Sequence, residues 1–102
     1  MPRARFQYIV DFSIPMVVSE KFSLLIPDQR AMVNDYFFDG KLFSYALSLE
    51  AGKLWAVFIA SDETEVMEWV NALPLTRFMH YKISTLTFYN TVTAHIPNFS
   101  LN

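Results

Sequence analysis

Asp11 is the lone acid in a strand-like run, Phe6 to Ile14, that is otherwise mostly apolar. A carboxylate in apolar surroundings resists charging, so its pKa rises toward that of a useful general base. The alternative is a carboxylate at a strand edge, solvated or tied to Arg30 or Lys53. Histidine as a residue type exchanges a proton near neutral pH, which makes His80 the second candidate for acid–base work. Lys82 lies two residues on, so an extended backbone puts both on one face. They form either an acid–base group with a substrate-binding lysine or a solvated surface pair. Arg30 is a candidate for holding a carboxylate through two parallel hydrogen bonds, set against an ordinary arginine on an exposed helix face. Tyr45 is a candidate carbonyl partner, because a buried phenol needs something to bond to. Trp55 either lines a pocket or, like Trp69, packs in the core. Ser44 and Ser48 share a strand face, but no base stands at a spacing that would activate a serine. His80 and His95 show no ligand spacing with each other or with a carboxylate, so no metal site is expected.

These side chains must be held by one small domain, since 102 residues make a single unit. Its apolar share is 53% and its aromatic share 17%, with ten phenylalanines. That is more than one thin core needs. Either the core is densely aromatic, or apolar surface is kept for a second subunit or a ligand. The net charge is −2 and the only basic cluster is Arg3 with Arg5, which argues against gripping nucleic acid. There is no cysteine, which removes disulfides and thiolate chemistry. No run reaches the roughly 18 apolar residues of a membrane span. Asp11 and Ser13 interrupt the one candidate leader, so the cytoplasm is the expected compartment and no membrane the expected partner.

Hydrophobic periodicity lays out the elements. A strand from Phe6 to Ile14 stops at Pro15, and Ser19 reads as the cap of a helix that runs to Gly40. Pro27 should kink that helix or split it in two. Leu42 to Leu49 and Leu54 to Ala60 read as strands joined by a hairpin through Gly52. Ser61 or Asp62 caps a second helix, closed by Pro74. A last strand runs from about Phe78 to Phe88, with a slip in alternation near Ser84-Thr85 that predicts a bulge. The order β-α-β-β-α-β is the ferredoxin-like α+β pattern, a four-stranded antiparallel sheet with both helices on one face. Residues 6–89 make this domain. Residues 90–102 form a tail carrying Val92, Ile96, Phe99 and Leu101, either frayed or docked on a neighbouring subunit.

Such a sheet has a second face. The run Leu54-Trp55-Ala56-Val57-Phe58-Ile59-Ala60 is apolar in either phase, so the sheet reads as buried twice. A twofold-related sheet is the least costly cover.

The run Leu73-Pro74-Leu75-Thr76-Arg77-Phe78-Met79, with Tyr81, Ile83 and Leu86 after it, resembles the muconolactone delta-isomerase family. There a Leu-Pro-Leu turn leads through an aromatic and a Met into the final strand. Val10-Asp11-Phe12-Ser13-Ile14-Pro15 and Gly40-Lys41 are similar to the family's first-strand ending and second-strand entry. The resemblance spans most of residues 6–88. It implies a dimeric α+β barrel, alone or built into a larger oligomer, and a cofactor-independent shift of a double bond in a small unsaturated lactone or acid. For such a reaction it implies Asp11 as base, and its ligand would be a small apolar or aromatic-derived acid or lactone. The family's alternating acids after the Met are His80 and Lys82 here, a departure that fits a different ligand. With the aromatic surplus, it leaves open a non-catalytic protein that binds a small apolar molecule.

Overall fold

The computed structural model describes residues 4–91. Strand β1 spans Phe6–Ser13, helix α1 Glu20–Phe38, β2 Leu42–Ser48, β3 Lys53–Ala60, helix α2 Glu63–Ala72 and β4 His80–Thr85, with a short 3-10 turn at Thr76–Phe78 before β4. The strands lie in the order β2-β3-β1-β4, every pair antiparallel. This is the ferredoxin-like α+β fold.

The helix ends follow the local chemistry. Ser19 Oγ accepts the Phe22 N–H at 3.1 Å and opens α1. Asp62 Oδ1 accepts the Glu65 N–H at 2.8 Å and opens α2, while Glu65 reaches back to the Ser61 N–H at 3.0 Å. Each bond satisfies a donor that the first helical turn leaves unpaired. Gly40 ends α1 at φ 74°. There the Gly40 and Lys41 N–H groups bond back to the carbonyls of Phe37 and Tyr36, the left-handed stop that glycine permits.

Two sequence expectations need correction. Pro27 does not divide α1, which runs unbroken from Glu20 to Phe38. Pro27 and Ser23, whose carbonyl loses its intrahelical donor, are both exposed, so that carbonyl faces solvent rather than the core. The second correction concerns the bulge. β4 pairs with β1 without a slip, and the irregularity lies in β2 between Leu42 and Ser44. Phe43 and Ser44 together oppose one residue of β3, which turns both toward the same side.

The register divides the sheet into two faces. Val10, Phe12, Ala56 and Phe58 point to the helices and are fully buried, with Val66 and Val70 of α2 packed over them. The opposite, outer face carries Ile9, Asp11 and Ser13 of β1, Trp55, Val57 and Ile59 of β3, and His80, Lys82 and Ser84 of β4. Its apolar part is therefore centred on β3, and the flanking strands contribute mainly polar groups. The chain itself covers one end. After β4 the Leu86 N–H bonds to Gln7 at 2.8 Å. Three residues later Tyr89 packs edge-on against Phe43, with its hydroxyl 3.4 Å from Ser44 Oγ, at the other edge of the sheet. Residues 86–89 thus cross the outer face near Val57, the register partner of Ser44, which is only 4% exposed. Residues 92–102 lie outside the described residues. Among the described residues no helix is long and apolar enough to cross a membrane.

Candidate functional site

A cleft of about 490 Å³ opens between α1 and the β2 edge of the sheet, on the helical side. Its volume falls within the roughly 300–1,000 Å³ typical of small-molecule sites. α1 supplies Phe22, Ile26 and Val33, the strands supply Tyr45 and Leu54, and Leu75 closes one end. The mouth is lined by Leu47 and Leu49, which are 58% and 79% exposed. Large apolar side chains standing in water around a concave site are what a ligand or partner would cover.

Gln29, Arg30, Asn34 and Tyr45 are the polar side chains of the cleft, and two of them, Gln29 and Tyr45, are bonded to each other. Gln29 is 4% exposed on the buried side of α1. Its Oε1 accepts the Leu75 N–H at 3.0 Å, and its Nε2 donates to Tyr45 Oη at 3.1 Å. One side chain thereby ties α1 to the Leu-Pro-Leu turn and to the edge strand. Burial raises the pKa of Tyr45, while its hydrogen bond to Gln29 works the other way; the phenol keeps its proton through the neutral range. Arg30 follows Gln29 on the helix and stands exposed at the cleft margin.

The remaining candidate residues lie on the outer face, away from the cleft. Asp11 is the direct register partner of Lys82 on one side and of Trp55 on the other. One pair along, Ser13 sits between Lys53 and His80. Directly opposite residues of an antiparallel pair stand about 4.5–5.5 Å apart at Cβ and diagonal ones about 7–8 Å, so Lys82 and Trp55 flank Asp11 and His80 lies one diagonal away on the same face. Within it Lys53 Nζ lies 3.2 Å from Asp11 Oδ1 and donates to Ser13 Oγ at 3.1 Å. That Asp11 oxygen is closed to solvent and has no hydrogen bond; the lysine's contribution to it is charge at short range. Lys53, rather than Arg30, is therefore the cation tied to Asp11.

The candidates thus fall into two groups separated by the thickness of the sheet. Arg30 and Tyr45 belong to the cleft. Asp11, His80, Lys82 and Trp55 belong to the outer face and do not line the cleft. Gln29 escapes a reading of the sequence for chemistry, although it breaks an apolar stripe at helical spacing between Phe22, Ile26 and Val33. A polar residue inside such a stripe marks a buried hydrogen-bonding centre.

No protein-family model matches the chain, and no curated protein matches it in sequence. Its fold does have solved counterparts. Muconolactone isomerase superposes with a TM-score of 0.70 at 15% identity, over 81% of this chain and 90% of that one. An uncharacterized protein from Thermotoga maritima gives 0.53 at 12% identity, over 82% of this chain and all of the other. SnoaB, a cofactor-independent oxygenase from Streptomyces nogalater, gives 0.49 at 9% identity. At these identities the likeness is one of fold: the chain shares the ferredoxin-like α+β architecture of muconolactone isomerase.

Proposed function

We propose that the chain is a small-molecule-binding protein that holds an apolar organic molecule in the cleft between α1 and β2. The observation that carries this reading is the cleft itself, about 490 Å³ lined mainly by apolar side chains, with the Gln29–Tyr45 pair as its polar handle. Burying an apolar ligand there is favoured by about 25 cal/mol for each Å² removed from water. Titration with the neutral fluorophore N-phenyl-1-naphthylamine tests it. Saturable enhancement is expected with the wild type, and strong loss with Val33→Trp, which fills the cleft. Unsaturable or absent enhancement would refute the reading.

A second reading is a cofactor-independent isomerase of a small unsaturated lactone or acid. It is favoured by the contiguity of Asp11 with Lys82, His80 and Trp55 and by the shared architecture with muconolactone isomerase. Asp11 would take the proton beside the carbonyl, the lysine charges would favour the enolate, and His80 would return a proton. Turnover of an unsaturated-lactone panel that Asp11→Asn leaves unchanged would remove Asp11 as the base.

Both readings sit with a homodimer, or a larger assembly of dimers, in the cytoplasm. The outer face around Trp55, at the end that residues 86–89 leave open, is the surface a twin would cover. Light scattering of the wild type against Trp55→Glu checks this, since a charge placed on that surface should release the monomer.

A further inference from the structure

The orientation of the Gln29 amide fixes what kind of molecule the cleft can hold. The Leu75 N–H is a donor and nothing else, so the amide atom 3.0 Å from it is the oxygen. The other end is then the NH₂ group, 3.1 Å from Tyr45 Oη. An amide NH₂ only donates. Tyr45 Oη is therefore the acceptor in that bond, and its own hydrogen must point elsewhere. Among the described residues no other hydrogen-bond partner stands at Tyr45 Oη. The phenol lines the cleft, and once an apolar ligand displaces water from it, an unused donor there is costly to leave unmatched.

From this we infer that the cleft selects uncharged molecules carrying a hydrogen-bond acceptor, of the aryl or alkyl ketone, ester or lactone type, with the carbonyl oxygen held by the Tyr45 hydroxyl. The inference rests on the cleft being a binding site and adds which ligands it prefers. An anionic acceptor is disfavoured at this position, because the apolar side chains lining the cleft would strip water from a carboxylate without replacing it. The cation nearest to hand, Arg30, stands exposed at the margin. Tyr45 is a ligand-orienting residue in this scheme, and Gln29 is the positioning residue that turns its hydrogen toward the ligand.

A matched pair of probes separates this from plain apolar binding. 2-Acetylnaphthalene and 2-isopropenylnaphthalene have nearly the same shape and differ in C=O against C=CH₂. With Tyr45→Phe, affinity for the ketone should fall roughly five- to tenfold while that for the hydrocarbon stays the same, the change expected for one net neutral hydrogen bond. A second measurement needs no variant: the carbonyl stretch of the ketone bound to the wild type should move to lower wavenumber than in hexane. Equal effects of Tyr45→Phe on the two probes, or an unshifted carbonyl band, would overturn the inference and leave the cleft reading intact. If neither probe binds the wild type, the cleft reading falls and this inference with it.

Discussion

Asp11 pairs with Trp55, and Tyr45 pairs with Ala56, the next residue of β3. Neighbours on a strand point to opposite faces, so the acid and the phenol project from opposite sides of the sheet. One substrate molecule bound in one monomer cannot touch both. The cleft can bind without Asp11, and the outer-face patch can act without Tyr45, so variants at the two positions should be separable in their effects.

The Gln29 side chain is the buried bridge between α1, the Leu75 turn and β2. Replacing it with Leu keeps the volume and removes both bonds, leaving the Leu75 N–H without a partner. We expect a loss of about 1–3 kcal/mol in urea unfolding, with the far-ultraviolet spectrum unchanged. A loss within error would mean that solvent reaches that amide.

The Lys53–Asp11 contact should matter much less for stability. The paired Asp11 oxygen is closed to solvent, but the two side chains as wholes are 35% and 42% exposed, and ion pairs at such partly exposed sites are worth about 0–1 kcal/mol. Lys53→Met should therefore shift the melting temperature only slightly. A large drop would identify the pair as a structural anchor of the outer face.

Alkaline stability follows from two tyrosines. Burial raises the pKa of both Tyr36 and Tyr45 above the ordinary 10.0. The unfolded phenols ionise first, so between about 10 and the higher folded values the unfolded state binds fewer protons. Stability from this source is complete below pH 10 and is lost as pH rises through the folded values. Denaturant midpoints measured across that range should fall with pH, and less steeply in Tyr36→Phe and Tyr45→Phe. A slope unchanged in both variants would assign the alkaline loss to other groups.

Proline inside a helix costs about 3 kcal/mol relative to alanine. Because α1 passes through Pro27 unbroken, Pro27→Ala restores a backbone donor for Ser23 without removing a buried contact. Thermal unfolding should move upward, by an amount worth about 1–3 kcal/mol. A lower melting temperature would show that the proline shapes the cleft wall.

The elements and the helix ends are readable in the sequence because each rests on local chemistry, whereas the last strand, expected from about Phe78 to Phe88, spans only His80–Thr85. Ser19, Gly40, Gly52 and Asp62 act within a few residues of themselves. The split at Pro27 is absent for the complementary reason: whether a lost hydrogen bond breaks a helix depends on whether the freed carbonyl meets water, which tertiary packing decides. The bulge at Phe43-Ser44 was placed in the wrong strand because alternation alone does not reveal where two strands fall out of step. The split between the two groups of candidate residues depends on register as well. Tyr45 and Asp11 occupy different strands, and only the pairing of both with β3 says that they part company. The apolar reading of the outer face came from β3, whereas its neighbours place Asp11, Ser13, His80 and Lys82 around that strip.

The strap formed by residues 86–89 limits how two molecules could come together. With Tyr89 lodged beside Phe43 and Ser44, stacked sheets could not overlap along their whole length unless this strap were dislodged. A mate would instead sit displaced toward the other end, where Trp55, Asp11 and Lys82 adjoin. Any such union would then be seeded at the charged end, and its strength should weaken with added salt.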